Sequence, residues 1–393
     1  MRIGIVGAGA SGIFLALKLK DLNDKIDVTL IDQKEKIGKK LYATGNGKCN
    51  LGNVILNSNS YNLDVSKIVN ENSIEDVFYC FEKWGIPLKQ INNLIYPYSE
   101  SAKEIMDILN SLIKSKGIKV ILDTKVNDYH IKDRVVLTVD KGELSFDCVV
   151  IASGGKSSSQ FGSDGSILSI LKKHGYDITT LRPGLCPIKT REKTQKMQGL
   201  RIKGDASLIF KGQTIAKESG EILFKKDGLS GIAIFNISSL ISRNNINDNY
   251  SISIDCFPKF SINELVAYFR KMNENSKNFC FLYGFFVKPI ADDILSRINL
   301  QNKCFFNEKE IENIAKICKN YAFTYDSLYD FNDSQVTVGG VSLLEIDDDF
   351  KSIKEDKIFL CGEVLDVDGL SGGYNLLWSF ISAWKVAVAI CNI

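Results

Sequence analysis

The chain has 393 residues, and its 49 basic and 47 acidic side chains leave a formal net charge of +2. This near-neutral balance lacks the basic field by which proteins bind nucleic-acid phosphates, so we expect no nucleic-acid partner. The length allows a large core and predicts two or three domains.

The sequence has neither the cysteine spacing of a metal or disulfide site nor the apolar run of a membrane span. Ten cysteines occur without a C-x-x-C pair, so the spacing of metal ligands and of disulfide reductases is missing. No apolar run approaches the roughly 18 residues of a membrane span, so we expect no membrane partner. These features predict a soluble, cytoplasmic protein with reduced, mostly buried thiols.

Histidine is scarce, which limits the possible chemistry. The two histidines, His130 and His174, lie outside the glycine-rich motifs. A Ser-His-Asp triad or a multi-histidine metal site is therefore not expected, and we predict no metal. Acid–base groups have to come from Tyr, Lys, Asp, Glu, Cys, water or a cofactor.

The chain opens with a dinucleotide-binding pattern. Residues 3–7 predict a strand, and Gly7, Gly9 and Gly12 form G-x-G-x-x-G at the start of a predicted helix. The first glycine permits a tight turn, the second lets a pyrophosphate reach the backbone, and the third allows close helix–strand packing. A second predicted strand ends in Asp32, where a carboxylate can hold a ribose diol. The motif alone does not separate FAD from NAD.

A glycine-rich loop follows. Residues 44–50 read Thr-Gly-Asn-Gly-Lys-Cys-Asn, a run too small and polar to form core. It suits either a backbone that packs on a flat ligand or an ordinary surface loop.

The next part of the chain alternates between helices and strands. Residues 74–84 and 102–116 predict helices. Three predicted strands resemble a β-meander: Val120–Ile131, Arg134–Val139 and Leu144–Ile151. The last strand ends in Ala152-Ser153-Gly154-Gly155, which is typical either of a backbone that approaches a cofactor or of a simple turn.

Residues 190–257 predict short alternating strands and form a β-rich insertion. Residues 261–320 predict helices, with capping boxes at Ser261/Glu264 and Asn307/Glu310. The chain returns to strand at Gln335–Val338.

The carboxyl-terminal segment carries the most informative pattern. Ile358–Cys361 predicts a buried strand, and Gly372 and Gly373 open the final helix. A glycine pair at a helix start exposes backbone N–H groups, and the helix dipole favours negative charge there. In a flavin enzyme this position stabilises the charge that builds near N1 and O2 on reduction. Two distant ends that meet at one cofactor imply a domain interrupted by an insertion.

Five motifs together resemble a known family. In chain order they are LYATGNGKCN (41–50), IASGG (151–155), GEILF…GLSG (220–231), TVGGVSLLEID (337–347) and GEVLDVDGLSGGYNLLW (362–378). The combination is similar to the BaiN/RdsA family of NAD(P)/FAD-dependent oxidoreductases, also described as YhiN-type flavoproteins or aminoacetone oxidase family FAD-binding enzymes.

The resemblance implies an α/β fold. A glutathione-reductase-like Rossmann FAD domain is interrupted by a β-barrel-like domain and a small helical subdomain. The expected boundaries are 1–189 plus 335–393 for the FAD domain, 190–257 plus 321–334 for the β-rich domain, and 258–320 for the helical subdomain.

The resemblance also implies which residues bind FAD, without a covalent link. On the nucleotide side these are Gly7, Gly9, Ser11 and Gly12 at the pyrophosphate, Asp32 at the adenosine ribose, and Val126 at the adenine edge. Lys39, Thr44, Gly45, Asn46, Gly47, Lys48 and Asn50 would flank the cofactor, with Ala152, Gly154 and Gly155 at the strand end. On the flavin side these are Gly362, Glu363 and Asp366 at the ribityl and phosphate region, and Gly373, Tyr374, Asn375 and Leu376 at the ring.

The sequence departs from the family pattern at three places. Asp32 stands where glutamate is more frequent, and Lys48 stands where arginine is usual. Lysine lacks the planar fork of arginine, so a bidentate contact at this position is in doubt. Lys225-Lys226-Asp227 also differs and would border the substrate cavity.

Three functions stay open. A reductase would pass hydride from NADH or NADPH through FAD to an activated C=C bond of a small organic substrate. An aminoacetone-type flavin amine oxidase would release hydrogen peroxide, and a flavin-binding sensor would have no turnover. Candidate catalytic residues are Cys49, Tyr374 and Tyr96, each of which also suits a structural role. The substrate, the donor and the oligomeric state are not predicted.

Overall fold

The computed structural model describes residues 1–244 and 250–392, apart from the side chain of Asn46. The chain divides into two compact units, one formed by Met1–Pro183 with Ser334–Ile393 and the other by Gly184–Asp333. The first unit is thus discontinuous in sequence. Its junctions lie at 183/184 and 333/334, beside the expected boundaries at 189/190 and 334/335.

The strands in chain order are β1 (Arg2–Val6), β2 (Asp27–Ile31), β3 (Gly52–Asn53), β4 (Leu88–Ile91), β5 (Leu94–Pro97), β6 (Lys119–Ile121), β7 (Val126–Ile131), β8 (Val135–Val139), β9 (Gly142–Phe146), β10 (Cys148–Ile151), β11 (Arg182–Gly184), β12 (Ile188–Thr190), β13 (Arg201–Phe210), β14 (Gln213–Lys225), β15 (Gly228–Ser230), β16 (Tyr250–Asp255), β17 (Tyr321–Leu328), β18 (Val336–Val338) and β19 (Ile358–Leu360). The α-helices are α1 (Ala10–Leu22), α2 (Lys39–Tyr42), α3 (Glu71–Lys83), α4 (Ala102–Ser115), α5 (Ser166–Lys173), α6 (Ile232–Arg243), α7 (Ile262–Asn275), α8 (Lys288–Ser296), α9 (Glu308–Lys319) and α10 (Tyr374–Cys391).

A five-stranded parallel sheet forms the centre of the first unit, in the order β19-β10-β1-β2-β6. Its strands are buried on nearly all faces, as expected where helices cover both sides of a parallel sheet. Strands from the beginning, the middle and the end of the chain therefore share one sheet. All five point their carboxyl ends to the same edge, where ligands bind in this class of fold.

The predicted meander exists, but two of its predicted strands are wrong in extent. The antiparallel sheet consists of β7, β8 and β9. Val120–Ile131 divides between β6 and β7, with Asp123 in the left-handed region at φ 48°. Leu144–Ile151 divides between β9 and β10 in the same way. Apolar alternation continues across each break, so periodicity alone does not reveal it.

The core of the first unit is built around α1 and α10. Phe14 packs its ring against Phe81, Trp84 and Phe380 at centroid distances of 5.7, 5.1 and 5.4 Å. Helix α10 has 18 residues and is long and apolar enough to cross a membrane, contrary to the expectation from sequence. Because 67% of it is buried, its apolar surface is core surface.

The second unit contains a closed barrel in the order β12-β15-β14-β13-β16-β17. Helices α7, α8 and α9 belong to the same unit, and both predicted capping boxes are confirmed at the starts of α7 and α9. The Tyr321 hydroxyl on β17 donates to Asp293 Oδ2 at 2.5 Å, and Arg297 Nε donates to the same oxygen at 2.8 Å. This contact ties α8 to the barrel wall.

The two ends of the first unit meet through backbone. Gly373 has φ 97°, and a Cβ atom there would lie 2.7 Å from the carbonyl carbon of Gly52. Asn53 Nδ2 donates to the carbonyl of Gly372 at 3.1 Å, and the Tyr61 hydroxyl donates to the carbonyl of Tyr374 at 2.9 Å. The start of α10 therefore rests directly on β3.

We expect Gly373→Ala to lower the free energy of unfolding by about 3 kcal/mol or more, because the new methyl group overlaps the Gly52 backbone. Gly372→Ala is the matched control, since Gly372 also has positive φ (116°) but its Cβ would meet other atoms only at 3.6 Å. We expect this control to cost about 1–2 kcal/mol, from backbone strain alone. Urea unfolding measures the free energy of unfolding of both variants. Equal losses would contradict the close contact between Gly373 and the Gly52 backbone.

Candidate cofactor site

The first glycine motif forms the turn between β1 and α1. Gly7 has φ 106°, and a Cβ atom there would lie 2.5 Å from the carbonyl oxygen of Ala152. A Cβ atom on Gly12 would lie 1.9 Å from the carbonyl oxygen of Gly7. No described atom lies within 4 Å of the Cβ position of Gly9. The fold itself thus requires two of the glycines, whereas Gly9 leaves its backbone open to a ligand.

Asp32 stands at the end of β2 beside this turn. Its Oδ2 accepts from the backbone amide of Ala8 at 2.8 Å, and its Oδ1 accepts from the amide of Lys34 at 2.9 Å. Burial raises the pKa of this carboxyl group, and the two backbone amides oppose the rise. Each oxygen has a second lone pair with which it can accept a hydroxyl hydrogen bond, as binding of a ribose requires.

Two helix N-termini contribute dipoles to the first unit. Gly9 caps α1 and Gly373 caps α10, and neither cap position has a side-chain hydrogen bond. The first N–H groups of each helix have no intrahelical acceptor and attract negative charge. A pyrophosphate at α1 and the polar edge of a flavin at α10 fit this arrangement.

An unpaired hydroxyl group lies at the end of β10. The Oγ atom of Ser153 is buried and has no hydrogen-bond partner among the described residues. The Cα atom of Ser153 would lie 2.7 Å from a Cβ on Gly7, so this hydroxyl belongs to the same turn. Because a buried polar group without a partner is costly, a polar ligand at this turn would satisfy it. Together with the open face of Gly9, the residues present fit the expected FAD.

A polar network joins the ends of β10 and β19. Glu363 Oε1 accepts from the Ser157 hydroxyl at 3.0 Å and from the Thr337 amide at 2.9 Å. Lys40 Nζ donates to Glu363 Oε2 at 2.9 Å and to Ser157 Oγ at 2.7 Å. Glu363 was predicted from the sequence, whereas Lys40, Ser157 and Thr337 were missed. Lys39, the predicted residue, instead pairs with Glu35 at 2.9 Å.

The loop of residues 44–50 is held by its own contacts. The Thr44 hydroxyl donates to the carbonyl of Leu41 at 2.7 Å, and Asn50 Oδ1 accepts from the Gly52 amide at 3.3 Å. Lys48 Nζ donates to Glu100 Oε2 at 2.9 Å. Gly45 and Gly47 have φ 56° and 83°. Asn46 was also predicted to flank the cofactor, but its side chain lies outside the part of the chain that the structure describes.

Glu100 also receives a second lysine, since Lys89 lies 2.8 Å from its other oxygen. The two lysines lower the pKa of Glu100 to about 2. Lys48 therefore takes part in an ion pair with Glu100, to which it donates from a single ammonium group.

Side chains of the carboxyl-terminal motif are directed inward. Asn375 accepts from the Gly369 amide and donates to the Gly369 carbonyl, both at 2.9 Å. Asn62 Nδ2 donates to the backbone oxygen of Asp366 at 3.2 Å and to its side-chain Oδ1 at 3.4 Å. The Tyr374 hydroxyl donates to the carbonyl of Ile55 at 2.9 Å. These side chains shape the loop, which leaves the backbone to face a ligand.

The remaining predicted positions lie on elements of the same unit. Val126 begins β7 and pairs with Val139, and Leu376 lies in the first turn of α10. Ala152 donates its amide to the carbonyl of Val6 at 2.8 Å, which continues the sheet for one residue. Gly154 has φ 73°, and a Cβ on Gly155 would lie 2.3 Å from Thr337 Oγ1. Ser11 Oγ would lie 2.0 Å from a Cβ on Gly362.

Cys49 lies in an apolar environment. Its side chain is 1% exposed and lines a cavity of about 10 Å³ together with Ile13, Phe14, Leu41 and other apolar side chains. Burial raises the pKa of this thiol to about 11. Its backbone has φ 60°, which is uncommon for a residue other than glycine. These observations favour a structural thiol over a proton donor.

The tyrosine candidates differ in their surroundings. Tyr374 is buried, and its hydroxyl already has an acceptor. Tyr96 lies on β5 opposite Lys89, and the neighbouring Tyr98 is exposed. The structure assigns no chemistry to Tyr374 or Tyr96.

We expect Gly9→Ala to preserve the unfolding midpoint of the apoprotein, because its Cβ enters open space. The same methyl group would occupy the ligand face, so FAD affinity should fall on the order of 10-fold or more as charge-assisted hydrogen bonds to the backbone are lost. Gly12→Ala should instead lower the stability of the apoprotein, by about 3 kcal/mol, because its methyl group clashes with the backbone of Gly7. Thermal unfolding and flavin fluorescence titration separate the two effects. Unchanged FAD affinity in Gly9→Ala would contradict the assignment.

We expect Cys49 to resist alkylation at pH 8, because its pKa is about 11 and the thiolate is the reactive form. Raising the pH towards 11 would increase the thiolate fraction, so the alkylation rate should rise with pH. Exposed Cys304 serves as the internal control. Peptide mass spectrometry after timed iodoacetamide treatment measures both sites, and equal rates at pH 8 would refute the buried thiol.

Comparison with known proteins agrees with this geometry. Residues 1–389 match the family model described as the HI0933-like protein Rossmann domain. The chain is 28% identical to a 3-dehydro-bile acid delta(4,6)-reductase of Clostridium scindens, over 98% of this chain and 97% of the relative. It is 25% identical to a ribosomal RNA dihydrouridine synthase of Haemophilus influenzae, again over 98% of this chain and 97% of the relative.

A solved 3-ketosteroid delta1-dehydrogenase from Sterolibacterium denitrificans, in complex with 1,4-androstadiene-3,17-dione, superposes with a TM-score of 0.51 at 10% identity. The superposition covers 99% of each chain and shows a shared fold. The predicted family resemblance and the predicted Rossmann-type α/β fold are confirmed. The chain belongs to the family of HI0933-like proteins with a Rossmann domain, and it is an FAD-dependent oxidoreductase.

Proposed function

We propose that this protein is a reductase that uses NADH or NADPH to saturate an activated carbon–carbon double bond in a small organic substrate. Activated here means conjugated to a carbonyl group, which makes the β-carbon electrophilic. We further propose that it acts in the cytoplasm and needs neither a membrane nor a nucleic acid as partner.

The observation that supports this chemistry most strongly is shared by the two relatives. The name of one denotes reduction of delta(4,6) double bonds in a 3-dehydro-bile acid, and the name of the other denotes conversion of uridine to dihydrouridine. Both substrates contain a double bond conjugated to a carbonyl group. Chemistry common to two relatives of different substrate class is the best guide to the reaction of a third.

Different residues would bind different parts of the cofactor. Gly9 and the N-terminus of α1 would bind the pyrophosphate, and Asp32 would bind the ribose of the adenosine half. Ser153 and Glu363 follow β10 and β19 at the carboxyl edge of the sheet. When bound, FAD would supply the redox chemistry that relays a hydride equivalent from the nicotinamide to the substrate.

The N-terminus of α10 would stabilise negative charge at the pyrimidine edge of the flavin. Its first N–H groups point away from the helix, and its Gly373 cap leaves them uncovered. Such fixed dipoles stabilise developing charge without reorganisation. In this proposal, the α10 N-terminus would favour hydride transfer to the flavin by stabilising the charge that forms there.

A second candidate substrate is uridine within RNA. The 25% identity to a ribosomal RNA dihydrouridine synthase over nearly the whole chain favours it. The net charge of +2 favours a small molecule instead, since RNA binding depends on phosphate contacts. Direct assay of both substrate classes distinguishes them.

The first experiment is an anaerobic visible spectrum of the purified holoprotein during addition of NADH and then NADPH. We expect a flavin spectrum that bleaches with one of the two, and reoxidation when a 3-oxo-4-ene steroid or a comparable enone is added. Product analysis should show saturation of the double bond, with one hydride from the nicotinamide and one proton from solvent.

Other outcomes lead to different functions. Bleaching by aminoacetone with stoichiometric hydrogen peroxide would identify an amine oxidase. Reoxidation by a uridine-containing RNA but not by enones would identify the RNA-modifying reaction. A flavin that neither nucleotide reduces would contradict the proposed donor, and an absence of turnover across the panel would favour a sensor.

A further inference from the structure

We infer that Lys40 is a positioning residue of the cofactor site, because its ammonium group holds Glu363 and Ser157 in the arrangement that FAD binding requires. The inference rests on the FAD-dependent function proposed above. The neighbouring Lys39, which the family resemblance places beside the cofactor, forms an ion pair with Glu35 at 2.9 Å.

The environment of Lys40 is built from several segments of the chain. The ammonium group donates to Ser157 Oγ at 2.7 Å and to Glu363 Oε2 at 2.9 Å. Ser157 is fully buried, and the side chains of Lys40 and Glu363 are 29% and 17% exposed. Two short charge-assisted contacts in a partly desolvated setting fix an otherwise flexible lysine.

Glu363 is the residue on which this network converges. Both of its oxygens accept hydrogen bonds, Oε2 from Lys40 and Oε1 from the Ser157 hydroxyl and the Thr337 amide. Thr337 Oγ1 in turn accepts from the amide of Ser157 at 3.0 Å. Removing Lys40 would leave one oxygen of a mostly buried carboxylate without its cationic donor, so Glu363 would turn away from its present position.

The position of Glu363 matters because it follows Gly362. A Cβ on Gly362 would lie 2.0 Å from Ser11 Oγ, so this backbone lies directly against the start of α1. Glu363 Oε2 is also 3.6 Å from the Cβ position of Gly154, at the end of β10. Displacement of Glu363 would therefore change the surface between the Gly154 and Gly362 turns, where the ribityl chain would lie.

Lys40 is also connected to the first glycine motif through its own helix. The amide of Gly38, the cap of α2, donates to the carbonyl of Ala8 at 2.8 Å. Lys40 thereby couples the β1–α1 turn to the ends of β10 and β19. Lys39 points to Glu35, which is 64% exposed, and makes no described contact with this network.

The test compares FAD binding by apoproteins that differ at single lysines. We expect Lys40→Met to weaken FAD binding on the order of 10-fold. This factor is the change in affinity that corresponds to the loss of one charge-assisted hydrogen bond. Lys40→Arg, which keeps the charge and the donors, should remain within about 3-fold of wild type. Lys116→Met is the matched control, because Lys116 forms a 2.6 Å ion pair with Asp21 at a similar exposure of 26%.

A fragment measurement separates positioning from loss of structure. ADP contains the adenosine and diphosphate half of FAD and lacks the flavin and ribityl part. We expect Lys40→Met to change ADP affinity by less than about 2-fold, which is within the scatter of surface substitutions. A purely structural role would weaken ADP and FAD binding together and would reduce the unfolding midpoint in proportion.

A double-mutant cycle tests whether Lys40 affects FAD binding by holding Glu363 in position. If Lys40 acts by holding that carboxylate, Lys40→Met should add little to the loss already caused by Glu363→Gln. Should Lys40→Met fail to fold, Ser157→Ala removes the other acceptor without removing a charge, and it should weaken FAD binding about 3-fold or more.

Two outcomes would overturn the inference. If wild-type apoprotein binds FAD and Lys40→Met binds it as tightly as Lys116→Met, Lys40 has no positioning role and the cofactor assignment stands. If wild-type apoprotein binds no FAD, the cofactor assignment and the inference both fail. Selective loss of FAD binding, rescued by arginine, would support the inference.

Discussion

The contact between the start of α1 and the Gly362 turn is the constraint on which the cofactor site depends. A side chain at Gly362 would overlap Ser11 Oγ, so the backbone of Gly362 packs directly against the Ser11 side chain. Trp378 Nε1 donates to the carbonyl of Gly362 at 3.1 Å, and the Gly362 amide donates to Ser382 Oγ at 2.9 Å. These bonds attach the turn to α10, which packs on α1. The geometry of a site shared by both chain ends therefore follows from one close approach.

Several polar side chains of the candidate site form hydrogen bonds with the protein's own backbone. Asp32, Asn375 and Tyr374 all direct polar atoms to backbone groups of neighbouring loops. The glycines leave N–H groups and helix dipoles uncovered. This division explains why a motif so rich in polar residues offers few candidates for acid–base catalysis, and why the redox chemistry is left to the cofactor.

Much of this arrangement could be predicted from the sequence because it depends on local backbone geometry. Gly7 and Gly373 adopt positive φ, and a glycine in a strand–turn–helix pattern indicates such a position without knowledge of the fold. The capping boxes at Ser261 and Asn307 are equally local. Each signal involves residues a few positions apart, and tertiary packing does not change it.

Features that depend on distant partners could not be predicted in this way. Lys39 and Lys40 are identical in type and adjacent, but successive residues on a helix point about 100° apart. Only the positions of Ser157 and Glu363 decide which lysine enters the network. The division between β6 and β7 was missed for the same reason, since two sheets share one continuous apolar pattern.

The discontinuity of the first unit has a consequence for biosynthesis. Strand β19 and helix α10 are translated after the barrel unit, yet they complete the central sheet and the core around Phe14. The barrel unit is contiguous, so it can fold before β19 and α10 have been made. Until those residues emerge, the apolar face of α1 lacks its partner and is exposed to aggregation. A binding-competent site can thus first exist only after α10 has left the ribosome.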